Sequence, residues 1–299
     1  MLQIVLGLLF AITLYFTIVF MKDFLKVKKA GELEKTNFFA LGAVGFVTNF
    51  FDTLGIGSFA PTTALFKFFH LSKDKNLPGT LNVSMTIPVV LEAFIFLTVI
   101  QVEAVTLFSM LGAAAFGAVL GAGVVSKLDE KKVQMGMGVA LLIVAVIMLF
   151  SQAGIFPVGG EAIGLTGAKL IIGIVANFIL GALMTLGIGL YAPCMALVYA
   201  LGLSPKVAFP IMMGSCAFLM PAAAVKFVKE GAYDKKASIA ITVFGAVGVL
   251  VAAYIVKSMP LNTLKWLVIG VILYTSFVMF KSAVKKTEIP EDITTNEEL

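Results

Sequence analysis

The chain has 299 residues, of which 60% are hydrophobic and 13% are charged, and its formal net charge at pH 7 is +5. Soluble domains carry about 25% charged and about 45–50% apolar residues, so this composition excludes an ordinary soluble fold and predicts an integral membrane protein in a lipid bilayer. The basic residues are spread over short loops and form no single patch, which argues against a nucleic-acid partner.

The apolar residues occur in blocks close to the length of about 20 residues that a transmembrane helix needs. In chain order, the blocks are residues 2–21, 38–59, 81–101, 105–126, 133–156, 170–191, 207–225, 239–256 and 264–280. The first block has no basic residue before it and is followed by Lys22, so we interpret it as a retained helix and not as a cleaved signal peptide. The pattern predicts an all-α, polytopic transmembrane bundle.

Two segments of the chain repeat each other without gaps. Residues 53–72 read TLGIGSFAPTTALFKFFHLS, and residues 185–204 read TLGIGLYAPCMALVYALGLS. Each copy is followed by a proline-bearing apolar block, a block rich in glycine and alanine, and a last apolar block. The predicted organisation is an N-terminal helix and basic loop at 1–37, a first repeat at 38–150, a linker at 151–168, a second repeat at 169–280 and a polar tail at 281–299.

The repeated GIGxxAP segments predict interrupted helices. Glycine readily adopts dihedrals that end a helix, and proline suits the first turn of a new one. We therefore predict unwound backbone at 57–59 and 189–191 and helix starts at Pro61 and Pro193. Unwound backbone at membrane depth must be buried in protein or line a wet cavity. The alternative is that the glycines only permit close helix packing, which is the role we assign to the small-residue stretches at 117–121 and 245–248.

The lysines predict how the chain crosses the membrane, because cytoplasmic loops are enriched in basic residues. If each GIGxxAP segment enters the membrane and returns, and the N-terminus is outside, most lysines lie inside. The outer lysines are then Lys169, Lys206, Lys257 and Lys265. Each half then has an odd number of crossings, so the two repeats have inverted topology with a re-entrant hairpin in each. This is the architecture of many secondary transporters, with the C-terminus here in the cytoplasm.

Two short helices that point their amino termini inward form a site for an anion. The candidate substrate-binding residues are the break residues and the nearby hydroxyl, thiol and amide groups: Gly55, Gly57, Ser58, Pro61, Thr62, Asn82, Ser84, Gly187, Gly189, Tyr191, Pro193, Cys194 and Ser215. Asp52 and Glu92 lie inside apolar blocks, where a carboxylate is costly, and are candidates to carry a coupling proton. Alternatively, Asp52 caps the hairpin and Glu92 pairs with a lysine such as Lys67.

Other chemistry has little support in the sequence. The two cysteines, Cys194 and Cys216, lie inside apolar blocks, and His70 is the single histidine. We therefore expect no metal site, no cofactor and no enzymatic activity. All the basic residues are lysines, so an anion cannot be held by a bidentate guanidinium, and backbone amides and hydroxyls would have to bind it.

The chain resembles the sulfite exporter TauE/SafE family, also called the toluene-sulfonate uptake permease family. The resemblance rests on both GIG segments, the prolines that follow them, the LS motifs at 71–72 and 203–204, and the loop KEGAYD at 229–234. The residues after each GIG depart from the family's longer glycine run, which makes the chain a divergent member. The resemblance implies transport of sulfite, a sulfonate or a sulfoacetate-like anion in a cell inner or plasma membrane. An anion channel and a carrier of a non-sulfur carboxylate are the alternatives, and a homodimer is compatible with either.

Overall fold

The computed structural model describes residues 2–98, 100–155, 159–187, 189–255 and 261–284. These residues form helices joined by short loops, which confirms the predicted all-α class. The helices are α1 (Leu2–Ala30), α2 (Phe38–Thr53), α3 (Phe59–Phe68), α4 (Leu77–Leu97), α5 (Ala104–Val125), α6 (Glu130–Gln152), α7 (Gly167–Met184), α8 (Tyr191–Ala200), α9 (Pro205–Lys229), α10 (Lys235–Ile255) and α11 (Leu261–Val284), with a 3-10 turn, η1 (Asp74–Asn76), before α4. Most of the predicted tail lies outside the described residues.

Seven helices of the described chain are long and apolar enough to cross a membrane, namely α1, α4, α5, α6, α7, α9 and α10. The chain is therefore a multi-pass membrane protein. The first helix is longer than the predicted block, because it continues through Lys22 and Lys26 to Ala30. Polar residues can extend a helix beyond the apolar length that a bilayer accommodates.

Both predicted interruptions are present, but they begin earlier than the sequence analysis placed them. The first helix of the pair, α2, ends at Thr53, and the amides of Gly55 and Ile56 donate to the carbonyls of Asp52 (2.7 Å) and Phe51 (3.2 Å). This is the bonding of a Schellman cap, which needs a left-handed residue such as Gly55 at φ +87°. The unwound stretches therefore comprise residues 54–58 in the first pair and the described residues 185–187 and 189–190 in the second, not the predicted 57–59 and 189–191.

The second helix of each pair begins two residues before its proline. Helix α3 starts at Phe59 and α8 at Tyr191, so Pro61 and Pro193 are the third residues of their helices. The amide of a third helical residue has no intrahelical acceptor, so proline loses no hydrogen bond at this position. The prediction that both prolines lie in a first turn is confirmed.

Each broken pair folds back on itself as a hairpin. The hydroxyl of Thr36, just before α2, donates to the carbonyl of Leu71, after α3, at 3.4 Å. In the second pair, the ammonium of Lys169 in α7 donates to the carbonyl of Leu201, after α8, at 3.1 Å. The entry and exit of each hairpin are thus side by side, as the re-entrant arrangement requires.

Helices of each half pack on helices of the other half. Helix α2 packs on α10 and α7 packs on α5, while α4 packs on α10 and α9 packs on α5. The predicted small-residue stretches form the first two of these contacts: an added Cβ at Gly117 would lie 2.0 Å from Phe178 O, and one at Gly248 would lie 2.4 Å from Phe46 O. Helices of equivalent position in the repeats therefore have equivalent partners. The inverted orientation of the halves across a membrane stays a prediction.

Candidate functional site

The two interruptions meet around one small cavity in the middle of the bundle. Its volume is about 20 Å³, and its lining comprises Asp52, Gly57, Ser58, Phe59, Val89, Met184, Gly189, Leu190, Tyr191 and Cys216. Five of the predicted residues are therefore brought together here from both halves: Asp52, Gly57, Ser58, Gly189 and Tyr191. This meeting of residues far apart in the chain is the geometry that the repeated motif predicts.

The amino termini of α3 and α8 both lie at this cavity. The first helical hydrogen bond of α3 is donated by the amide of Thr62 to Ser58 O at 3.0 Å, and that of α8 by Cys194 to Leu190 O at 2.9 Å. Pro61 and Pro193, directly before them, have no amide proton. The amides of the two residues before each proline have no acceptor within the helix. Each helix has ten residues, and its amino terminus carries a partial positive charge. Two such ends at one cavity can hold an anion.

The cavity is too small for such an anion in the conformation described. A volume of about 20 Å³ is enough for one water molecule, which needs roughly 10–15 Å³ by the same measure. Sulfite has four non-hydrogen atoms and does not fit beside Tyr191 and Phe59. Binding therefore requires that the two interruptions move apart.

Both buried acids predicted from the sequence lie at this site. Asp52 and Glu92 have 2% and 0% of their surface exposed. The hydroxyl of Ser58 donates to Asp52 Oδ2 at 2.9 Å, so Asp52 does cap the hairpin. Glu92 accepts from the hydroxyl of Tyr191 at 2.7 Å, which joins α4 of one half to α8 of the other.

The alternative pairing of Glu92 with Lys67 is not what the structure shows. Lys67 contacts Asp74 in η1, which also accepts from the side chain of Gln134 at 2.8 Å. The ion pairs within the described ranges are this one and a surface pair between Lys132 and Asp129. Neither buried acid of the site is neutralised by one of them.

Other predicted residues lie near the site but outside the cavity lining. Gly55 lines a neighbouring cavity of about 50 Å³ between the first interruption, the end of α6 and α8. An added Cβ at Gly187 would lie 3.1 Å from the Met137 side chain, so this glycine contacts α6. Pro61, Thr62, Pro193 and Cys194 lie in the first turns of α3 and α8, and the buried Thr62 hydroxyl has no hydrogen-bond partner.

The predicted polar residues of α4 and α9 do not line the cavity. Asn82 donates to Pro78 O at 2.8 Å and Ser84 lies 3.5 Å from Leu81 O, both in their own helix. Ser215 accepts from the side chain of Asn177 at 2.9 Å. Ser84 and Cys216 are equivalent by the repeat offset, and of the two only Cys216 lines the cavity. Hydrophobic periodicity could not show which face of these all-buried helices meets the cavity.

The sequence contained a signal for several lining residues that the predicted set omits. Met184, Leu190 and Phe59 are the repeat equivalents of Asp52, Ser58 and Tyr191. The predicted set consists of polar residues and of the glycines and prolines of the breaks, so it lacks the apolar member of each of these pairs. The repeat alone would have placed both members at the site.

Comparison with known proteins supports the resemblance over the second half of the chain. The family model described as Sulfite exporter TauE/SafE matches residues 169–297. The match includes the second interruption with Gly187, Gly189 and Pro193, and the loop at 229–234. No curated protein and no solved structure gave a significant match. The match is consistent with the suspected family over these residues and, with the membrane-spanning helices, indicates a membrane transporter.

Proposed function

From the match to the sulfite exporter TauE/SafE family model, we propose that this protein carries a small sulfur-containing anion across a membrane by alternating access. The substrate would be sulfite, a sulfonate or a sulfoacetate-like compound. The observation that carries the proposal is the meeting of two interrupted helices, one from each half, around a single cavity. The family name supplies the class of substrate.

The anion would be held by backbone amides and hydroxyl groups. The free amides at the starts of α3 and α8 are donors, and the hydroxyls of Ser58 and Tyr191 lie beside them. Amides and hydroxyls in a site that excludes water bind an anion without a fixed positive charge. This composition suits the chain, because it has no arginine.

Alternating access would come from movement of the two hairpins relative to each other. The central cavity is bounded on one side by the cavity of about 50 Å³ next to Gly55, Ala192 and the end of α6. On the opposite side, Lys67, Asp74 and Gln134 join α3, η1 and α6. Opening one of these boundaries while the other stays closed would expose the site to one side at a time.

The proposed location is a cell inner or plasma membrane, with the N-terminus outside and the C-terminus in the cytoplasm. The uneven distribution of lysines supports this orientation. The start of α10, with Lys235 and Lys236, is joined to the loop before α2 by Glu34, whose carboxylate accepts both of their amides at 3.0 Å. Two lysine-rich segments therefore lie on the same side, as the orientation requires.

Uptake by purified protein in liposomes tests the proposal. Radiolabelled sulfite, thiosulfate, taurine and sulfoacetate are offered separately, with protein-free liposomes as the control. We expect saturable uptake of at least one of them, reduced in Pro61→Ala, Pro193→Ala and Asp52→Asn. Absence of saturable uptake for all four compounds would contradict the proposed function. Ion currents in planar bilayers far above carrier turnover would identify a channel instead.

A further inference from the structure

Resting on the proposed function, we infer that Glu92 binds a proton that crosses the membrane together with the anion. The inference concerns a hydrogen-bonded group made of Glu92, Thr53 and Tyr191. Thr53 is the last residue of α2, and Tyr191 is the first residue of α8. The group therefore connects one interrupted helix of each half through a single carboxyl group on α4.

The hydrogen bonds around Glu92 need one more proton than is present when its carboxyl group is ionised. The hydroxyl oxygen of Thr53 lies 2.8 Å from Glu92 Oε1 and 2.9 Å from the carbonyl oxygen of Asn49. A hydroxyl has one proton, and neither a carboxylate nor a carbonyl can donate. With Glu92 ionised, one of the two contacts has no proton between its oxygen atoms.

A proton on Glu92 Oε1 completes the group. Glu92 then donates to Thr53, and Thr53 donates to Asn49 O. The other carboxyl oxygen, Oε2, still accepts from the Tyr191 hydroxyl at 2.7 Å. Every donor has one acceptor in this arrangement, and no net charge is left in a side chain that is fully buried. An unpaired charge at such a position is costly.

The surroundings of Glu92 contain acidic and weakly acidic groups but no nearby base among the described residues. Asp52 from α2, Tyr191 from α8 and Cys216 from α9 share the cavity beside it. Among the helices that pack on α4, the lysines of α1, η1 and α9 are exposed. Lys67 of α3 pairs with Asp74, and the ammonium of Lys235 in α10 donates to the carbonyls of Gly231 and Tyr233. Within the described residues no ion pair includes Glu92, so a proton on its own carboxyl group is what neutralises it.

The two carboxylic acids, Asp52 and Glu92, are confined to the first half of the molecule. By the residue offset that relates Thr53 to Thr185, the equivalents of Asp52, Glu92 and Tyr191 are Met184, Ala224 and Phe59. Thr53 is retained as Thr185. The second half has apolar residues in place of both acids, and the first half has Phe59 in place of Tyr191. The hairpins themselves form without the acids in the second half, so the acids are not needed to build a hairpin.

The proton and the anion would travel in the same direction. An ionised Glu92 next to the cavity would repel an anion held at the start of α8, whereas a protonated Glu92 would not. The site therefore binds the anion best after the carboxyl O–H bond has formed with a proton from the same side. That bond breaks on the opposite side, where the proton leaves after the anion.

Glu92→Gln is the informative variant, because glutamine has the hydrogen-bonding pattern of the protonated acid. Its amide group can donate to Thr53 while its carbonyl accepts from Tyr191. The variant is expected to fold and to retain exchange of labelled for unlabelled sulfoacetate across liposomes, because exchange moves no net proton. Uptake driven by an acidic exterior is expected to disappear. Glu161→Gln, at an exposed loop position, is the matched control.

The transport experiment uses sulfoacetate and thiosulfate, since sulfite itself takes up protons near neutral pH. With the membrane potential held at zero by potassium and valinomycin, one proton per anion gives roughly tenfold accumulation for each pH unit of gradient. We expect this accumulation in the wild type and Glu161→Gln and none in Glu92→Gln. Anion flux that does not respond to the pH gradient, or gradient-driven accumulation that persists in Glu92→Gln, would overturn the inference.

Infrared spectroscopy separates this inference from the proposed function. A protonated carboxyl group has a C=O band that an ionised one lacks, and the wild type at neutral pH should show such a band that is missing in Glu92→Gln. The band is expected even if none of the tested anions is a substrate, which would count against the proposed substrates and not against protonation of Glu92. A wild-type spectrum identical to that of Glu92→Gln in this region would overturn the assignment of the proton.

Discussion

At the scale of single residues, the site depends on backbone conformations that only some residues adopt. Gly57 has φ +90° and lines the cavity, whereas its repeat equivalent, Gly189, lines the same cavity without a positive φ. An added Cβ would meet no heavy atom within 4 Å at either position. The two glycines therefore differ in backbone conformation and not in available space, which allows a matched comparison.

We predict that Gly57→Ala destabilises the protein and Gly189→Ala does so much less. A left-handed conformation costs an alanine about 1–2 kcal/mol, and this cost applies at position 57 alone. Thermal unfolding in detergent, followed by the fluorescence of a thiol-reactive dye on Cys194 and Cys216, measures the difference. Equal losses of stability in both variants would show that the left-handed conformation at position 57 does not destabilise the alanine variant.

Asp234 provides a prediction about pH. Its carboxylate caps α10 by accepting the amide of Ala237 at 2.8 Å, and its own amide donates to the Thr80 hydroxyl at 2.9 Å. Burial of the carboxyl group outweighs the hydrogen bond from Ala237 and raises the pKa of Asp234 from 3.8 to about 6. A raised pKa means that the folded protein holds this proton more tightly than the unfolded chain does, so stability falls as the pH rises from about 4 to about 6.

We predict that Asp234→Asn removes this part of the pH dependence. Asparagine can still accept the Ala237 amide but does not ionise. The wild type should lose roughly 2–3 kcal/mol of stability over this interval relative to the variant. Melting temperatures of both proteins at intervals of pH provide the measurement. Parallel curves for the two proteins between pH 4 and 6 would show that Asp234 does not carry a buried proton.

At the scale of helices, the packing of α5 on α7 depends on residues without side chains. An added Cβ at Gly117 would lie 2.0 Å from Phe178 O, and one at Gly181 would lie 2.1 Å from Ala114 O. Such distances cannot be relieved by a change of rotamer, because backbone atoms face each other. The two helices must separate to admit even a methyl group.

We predict that Gly117→Ala lowers stability by about 1–3 kcal/mol, as overpacking of a tight contact does. Gly112→Ala, in the same helix, is the control, because an added Cβ there meets no heavy atom within 4 Å. It should be neutral or slightly stabilising, since alanine favours a helix more than glycine does. Both effects are visible in thermal unfolding of the purified variants. A stable Gly117→Ala protein would contradict the close approach of α5 and α7.

At the scale of the whole molecule, the repeated motif predicted most of the architecture. Repetition of TLGIGxxAP at 53–61 and 185–193 predicted two hairpins, and both are present with their prolines in a first turn. The limits of the interruptions were missed, because the cap formed by Gly55 ends α2 before the unwound stretch that GIG suggested. A cap depends on one residue in the left-handed conformation, and the sequence does not show whether Gly55 or Gly57 forms it.

The site was predicted only in part, for a related reason. Residues at the interruptions, such as Ser58 and Tyr191, were placed correctly because the break itself fixes their position. Residues in the middle of α4 and α9 were not, because these helices are apolar around most of their circumference and are buried on nearly every face. The hydrogen bond between Glu92 and Tyr191 joins residues 99 positions apart and follows only from the tertiary structure, which brings these two side chains together.

A structure determined with thiosulfate bound tests the central claim most directly, because the anomalous signal of its two sulfur atoms locates the anion independently of the protein map. We expect the anion to lie between the amino termini of α3 and α8, in contact with Ser58 and Tyr191, in a cavity that has widened to admit it. Thiosulfate bound elsewhere, with the two interruptions still in contact around a water-sized cavity, would show that the helix termini are not the binding site.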